Sequence, residues 1–271
     1  MLVTDAIGVF DSGIGGLSVL KQLVRFLPFE NYIYLGDTAR VPYGSKSVSI
    51  VKLYAEECTN FLKSKNVKLI VIACNTVSAV ALDKVRHIAG DIPVIGMIQP
   101  AANAALRSTK NNKIGIIGTR ATISSNAYAD IIAKKAGDSV KVISQETPLF
   151  VPLVEEGMIK HEATKLIAQE YLTKFIDENI DTLILGCTHY PLLSQMILEL
   201  LPNVIQIDSG EHAAVTALKL LAEQKLLQPE RQEFAIKHNI KFYVTDIPTH
   251  FYEQTQHFLG FPVDAPEEIN L

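Results

Sequence analysis

The chain has 271 residues, 48% hydrophobic and 20% charged, and its 29 acids against 25 bases leave a net charge of −4. That size and composition predict one large or two ordinary globular domains with a substantial core. Neither sign of charge clusters, which argues against a nucleic-acid-binding face, and no apolar run approaches the roughly 18 residues of a membrane span. Met1-Leu2-Val3-Thr4-Asp5 has no basic n-region or apolar h-region, and the three cysteines lack the paired spacing of a disulfide framework. A soluble cytoplasmic protein with reduced thiols is therefore expected.

In chain order, Ile7 to Phe10 reads as a short buried strand, after which Leu17, Leu20, Val24 and Leu27 share one helical face before Pro28. Tyr32 to Leu35 is a second strand. Residues 46 to 64 form an amphipathic helix with Val51, Tyr54, Ala55, Cys58, Phe61 and Leu62 on its apolar face. Leu69 to Ala73 is the third strand, a helix follows through His87, and Val94 to Ile98 is the fourth. Strands near 114–117, 140–143, 182–185 and 204–207 repeat the alternation. Residues 210 to 226 then read as a helix and Lys241 to Val244 as one more strand. Strands separated by helices need crossover connections, so the fold class is α/β with mostly parallel sheets.

The second half echoes the first. Ile7 to Phe10 before Asp11-Ser12 resembles Ile114 to Ile117 before Gly118-Thr119, Val41-Pro42 recurs as Val151-Pro152, and Pro93-Val94-Ile95 recurs as Asn203-Val204-Ile205. Leu69 to Thr76 (LIVIACNT) and Leu183 to Tyr190 (LILGCTHY) match most closely, each an apolar run ending in a cysteine. Matches in one order at nearly one offset predict two pseudo-symmetric α/β domains. We place them at residues 1–97 with 209–271 and at residues 98–208. The tail beyond the second repeat is expected to pack back onto the first domain.

A free cysteine is ordinarily a small buried hydrophobe, and Cys58, on an apolar helical face, reads that way. Cys74 and Cys187 differ because each ends a strand, where parallel sheets place their ligands. No Cys-x-x-Cys pair supports disulfide exchange, and Cys74, Cys187 and His189 are too few and wrongly spaced for a zinc site. Two thiols on opposite sides of one tetrahedral carbon can remove a proton from one face and return one to the other, which is racemisation without a cofactor. Each thiol precedes a helix start, with Asn75-Thr76 or Thr188-His189 as caps and amide donors.

Asp11-Ser12-Gly13-x-Gly15-Gly16 is neither a Walker loop nor a dinucleotide turn. It reads either as a plain strand-to-helix turn or as a backbone nest for a carboxylate, with Asp11 assisting proton transfer or gripping an ammonium group. Tyr43-Gly44-Ser45 is a second turn that could hold another carboxylate. His189 is expected to assist or orient proton transfer. Glu155 and Glu156 form an adjacent acid pair, of a kind that is ordinarily just solvated.

These residues lie in FDSGIGGLSV, VPYGS, ACNT, FVPLVE and LGCTHYPLL, spread in order from residue 10 to 193. Over nearly its whole length the chain resembles the glutamate racemases of the aspartate/glutamate racemase superfamily. The resemblance implies two α/β domains with the site between them, a cofactor-independent two-base mechanism, and supply of D-glutamate for bacterial peptidoglycan. By position it implies that Cys74 and Cys187 are the acid/base pair and that Asp11, Glu155 and His189 assist them. Ser12, Tyr43, Gly44, Asn75, Thr76, Thr188 and His189, with Asp11, then fall in the substrate-binding motifs. Glutamate is the small-molecule partner implied, no nucleic acid or membrane is expected, and a homodimer is an expectation from the family. The alternatives are an aspartate racemase, a related thiol-dependent decarboxylase, or a non-catalytic amino-acid-binding protein.

Overall fold

Strand and helix alternate through two separate parallel sheets in the computed structural model, which describes residues 1–229, 239–247, 249, 251–261 and 264–271. The strands are β1 (Ile7–Asp11), β2 (Tyr32–Gly36), β3 (Leu69–Ile72), β4 (Val94–Gly96), β5 (Lys113–Gly118), β6 (Lys141–Glu146), β7 (Thr182–Gly186), β8 (Ile205–Asp208), β9 (Ile240–Val244) and β10 (Glu267–Glu268). One sheet runs β10-β9-β2-β1-β3-β4 and the other β6-β5-β7-β8, with parallel pairings throughout. Without β9 and β10 the two orders are the same. That is the duplicated α/β topology the repeat predicts.

The central strands β1, β3 and β7 are buried along their whole length, as parallel strands covered by helices on both faces must be. Their continuous apolar runs are what made them legible. Leu17, Leu20, Val24 and Leu27 are all buried, and the helix Leu17–Phe26 packs on the helix Ser209–Glu223. Ala213 and Ala217 keep that second helix slim enough for close approach, and both helices join β7 in one continuous core.

Several boundaries differ from expectation. The fourth strand stops at Gly96, and Ile98 begins the helix Ile98–Ser108. The helix after Cys74 is two helices, Asn75–Val80 and Leu82–Ala89, bent at Ala81 (φ −129, ψ 2). Ala81 still donates to Val77 and accepts from Val85, so the bend leaves both the apolar pattern and the hydrogen bonding uninterrupted and has no signature in the sequence. The Val-Pro repeat is one of sequence alone. Pro42 is extended, whereas Pro152 lies inside the helix Phe150–Glu155.

The tail reaches both sheets. β9 extends the first sheet beside β2, while the helix Phe251–Leu259 lies against Leu17–Phe26 and touches the site residues of the second.

Behind β3 a buried ion pair ties the first sheet to the chain around it. Lys68 Nζ sits 2.5 Å from Glu30 Oε2, with both side chains almost wholly out of water. Lys68 also donates to the carbonyls of Val3 and Leu226 at 2.6 and 2.8 Å, and Glu30 Oε1 accepts from the Gln228 amide at 2.9 Å. Removing one member strands the other charge in an apolar setting, which costs about 3–5 kcal/mol, whereas replacing both is far milder. Urea unfolding should therefore show Lys68→Met destabilised by that amount, and Glu30→Leu combined with Lys68→Met restored most of the way.

Candidate active site

β3 and β7 deliver their cysteines in the same way. Cys74 follows β3 by two residues and N-caps the helix Asn75–Val80, and Cys187 follows directly on Gly186 at the end of β7. Both thiols line one small cavity of ≈ 40 Å³ between the carboxyl edges of the two sheets. The cavity also gathers Ser12, Tyr43, Gly44, Asn75, Thr76, Glu155, Thr188 and His189, so of the residues that the resemblance assigns to the site only Asp11 is not on its wall, and Ser45 of the second turn is not there either. Cys58 is elsewhere, buried in the helix Val48–Ser64, and burial pushes its thiol far up. It belongs to the core, as its helical face suggested.

On the Cys187 side a chain of polar contacts leads outward. Cys187 Sγ is 3.8 Å from His189 Nδ1, and His189 Nε2 is 3.0 Å from Glu155 Oε1. Phe258 packs perpendicular to the imidazole at 5.4 Å between ring centroids, and Gln254 Nε2 donates to the Glu155 carbonyl at 3.0 Å. Burial opposes a charge on His189, but its contacts with Cys187 and Glu155 outweigh that and hold its pKa up at about 10. These contacts favour the imidazolium and so set a donor and positive charge beside the Cys187 sulfur. Glu156 caps the helix Phe150–Glu155 and, with Glu155, borders a neighbouring cavity, but only Glu155 also lines the cavity of the thiols and reaches His189.

The Cys74 side has other chemistry. Cys74 Sγ is 3.7 Å from Ser12 Oγ, and burial, with the Asp11 charge, pushes the thiol up to about 12. Both influences favour the protonated thiol at neutral pH. Asp11 sits just behind the Ser12-Gly13 turn, where its Oδ2 accepts from the Gly13 and Gly16 amides at 3.1 and 3.0 Å. The nest expected for a ligand carboxylate is therefore occupied at those amides by Asp11 itself. Asp11 Oδ1 is buried and has no hydrogen-bond partner among the described residues. Burial raises the Asp11 pKa to about 6 against the opposing pull of His189 and the loop amides.

The two halves interlock beside each thiol. Ser18 Oγ donates to the Thr188 carbonyl at 2.7 Å, next to Cys187. Asn75, next to Cys74, donates to Ser209 Oγ at 3.3 Å and accepts from Tyr128 Oη at 2.7 Å. Thr76 Oγ1 lies 3.0 Å from Thr119 Oγ1 and 3.3 Å from Thr122 Oγ1. A Cβ on Gly15 would fall 2.3 Å from His189 Cε1 and 2.6 Å from Thr188 Oγ1, so only glycine lets the loop approach so closely. Thr119 and Val151, both on the cavity wall, were not among the expected site residues. The repeat could have found Thr119, because it aligns Ser12 with Thr119. Tyr128, Ser209 and Ser18 carried no comparable signal, since their role depends on contacts across the seam, which for Ser209 is the hydrogen bond its Oγ donates to the Leu185 carbonyl at 3.2 Å. The Tyr43 hydroxyl donates to Asp37, and Tyr43 and Gly44 both line the cavity. Among the described residues, no group of three or more His, Cys, Asp or Glu side chains is arranged to hold a metal ion.

Asp11 should leave a mark on stability. Its folded pKa of about 6 exceeds the ordinary value of 3.8, so between those values the folded state keeps a proton that the unfolded chain releases. Stability from this group is present below the lower value and is lost as pH rises through about 6. Urea unfolding across that window should show Asp11→Asn lacking this component, its stability rising relative to the unaltered protein as pH increases. His189 contributes in a separate, more alkaline window, from about 6.5 to about 10.

With the geometry established, comparison with known proteins is direct. The Asp/Glu/Hydantoin racemase family profile matches residues 7–217. The glutamate racemase of Chlorobaculum tepidum is 50% identical over 266 residues, spanning 98% of this chain and 96% of that protein. That of Syntrophus aciditrophicus is 46% identical over the same length and shares. The crystal structure of glutamate racemase from Francisella tularensis, in complex with D-glutamate, superposes with a TM-score of 0.92 at 43% identity, covering 99% of this chain and 98% of that one. The chain belongs to the Asp/Glu/Hydantoin racemase family, on its glutamate racemase branch.

Proposed function

We propose that this protein interconverts L- and D-glutamate by transferring protons at the α-carbon between Cys74 and Cys187, without a cofactor. The observation that carries the reading is the pair of thiols at equivalent strand ends of two equivalent sheets, lining one cavity. Residues 1–97 with 209–271 form one wall of the cleft and residues 98–208 the other. With a substrate between them, the ionised sulfur removes the α-proton from one face while the protonated sulfur supplies a proton to the opposite face. The two then stand with exchanged protonation states, ready for the reverse reaction. His189, tethered by Glu155, assists proton transfer at Cys187, and Asp11 with Ser12 assists it at Cys74. Asp11, one turn behind the wall with its Oδ1 unpartnered among the described residues, is assigned to the substrate ammonium by kinship with the glutamate racemases. Ser12, Asn75, Thr76, Thr188 and the Tyr43-Gly44 backbone bracket the two carboxylates.

Glutamate as substrate rests on full-length likeness to glutamate racemases. Supply of D-glutamate for peptidoglycan, work in the cytoplasm and assembly as a homodimer follow from the same kinship. Among the described residues no helix is long and apolar enough to cross a membrane, and the three cysteines are free thiols, as a reducing compartment would keep them.

Incubating the reduced protein with L-glutamate in D2O should abolish optical rotation and exchange the α-proton for deuterium. Neither change with glutamate, but both with aspartate, would reassign the substrate. Cys74→Ser and Cys187→Ser should each lower kcat by roughly 10²–10⁴-fold, the usual worth of a positioned acid or base, while unfolding stays cooperative. Full activity in either variant would exclude the two-base mechanism. Cys58→Ser should turn over at close to the unaltered rate.

A further inference from the structure

Between β2 and the cavity wall lies Asp37-Thr38-Ala39-Arg40, a stretch to which two-thiol chemistry assigns nothing. Asp37 is completely buried, and a carboxylate taken out of water needs strong donors around it. Arg40 Nε donates to its two oxygens at 2.9 and 2.7 Å, Thr245 Oγ1 donates at 2.9 Å, and the Tyr43 hydroxyl donates to Oδ2. The Asp37 amide donates to the Asp11 carbonyl at 3.1 Å. Arg40 is itself gripped by Glu57 and stacked over Tyr54, 4.0 Å from the ring centroid.

These donors come from separate stretches of chain. Tyr43 belongs to the cavity wall, and Thr245 follows β9 in the tail. The tail is fastened again where Thr38 Oγ1 donates to the Asp246 carbonyl and accepts from its amide at 2.9 Å, and where Ala39 N donates to Thr245 Oγ1 at 3.0 Å. One buried carboxylate thus joins the tail strand to the wall of the cleft.

That wall has little freedom elsewhere. A Cβ on Gly13 would come 2.8 Å from Val41 Cγ1, and one on Gly44 would come 2.7 Å from Thr119 Cβ. Residues 41–44 are therefore pressed between the glycine loop and the opposite half, and their inner side hangs on Asp37 through Tyr43. Tyr43 and Gly44 both line the cavity, so the hydroxyl that Asp37 holds fixes a residue of its wall.

We propose that Asp37 is the positioning residue of this wall, and that β9, through Thr245, is part of the scaffold of the substrate site. The inference rests on the racemase reading above and goes further by placing at this wall the substrate carboxylate remote from the α-carbon. Such a contact is made equally in the ground and transition states, so loosening it raises KM and spares kcat.

Two variants test this. Asp37→Asn keeps the size but sets an amide donor against donors, and Thr245→Val keeps the shape but deletes one donor. Assayed well below their melting temperatures, Asp37→Asn should raise the glutamate KM by about tenfold or more and Thr245→Val by about threefold, with kcat little changed in both. A lowered Tm with unchanged KM would overturn the proposal by reducing the cluster to a folding element. A fall in kcat at constant KM would overturn it as well, because the effect would then lie on proton transfer. Should Asp37→Asn fail to fold, Thr245→Val decides by the same criterion. If the unaltered protein does not racemise glutamate, the racemase reading falls and takes this inference with it, whereas unchanged KM in variants of an active enzyme removes this inference alone.

Discussion

The close contact of the glycine loop with the Thr188-His189 turn is the constraint on which the site depends. A single methyl at Gly15 would occupy the space of the His189 ring edge, so the two sheets can bring their carboxyl ends together only because that methyl is missing. Closing the sheets at this point puts Ser18 within reach of the Thr188 carbonyl and Asp11 close enough to feel the charge of His189. It also removes both thiols from water. Close packing of this kind turns two ordinary strand ends into one shared cavity.

Within that dry space the pseudo-symmetry of the backbone gives way to asymmetric chemistry. Cys74 has a hydroxyl neighbour and a buried carboxylate behind it, which together with desolvation favour the protonated thiol. Cys187 has an imidazole backed by a carboxylate, which supplies positive charge where a thiolate would form. A two-base reaction needs one proton donor and one acceptor at the start of each turnover. Duplication provides the equal placement of the sulfurs, and divergence of the neighbouring side chains provides their unequal surroundings.

The tail has no counterpart in the repeat, yet both sides of the cavity lean on it. Through Thr245 it reaches the carboxylate that holds Tyr43. Through Phe258 and Gln254 it covers His189 and ties the backbone of Glu155. An element added outside the duplicated scaffold can brace both halves because it crosses their seam, which neither repeat does alone.

Periodicity exposed the parallel strands because those buried on both faces must be apolar throughout, and the repeat exposed the duplicated strand order and the equivalence of Cys74 and Cys187. Motif chemistry brought most of the cavity wall to light, since residues at strand exits are placed by local sequence. The bend at Ala81 was invisible because its hydrogen bonds and apolar pattern run on unbroken. The choice of Glu155 over Glu156, the turning of Tyr43 toward Asp37, the capture of the Gly13 and Gly16 amides by Asp11, and the cross-seam roles of Ser18, Tyr128 and Ser209 belonged to tertiary structure. The amino-acid sequence alone determined which residues stand at the strand ends, because that follows from local pattern. Which way their side chains point, and what proton affinity each has, was decided only when the two halves closed, because orientation and desolvation depend on neighbours far away in the chain.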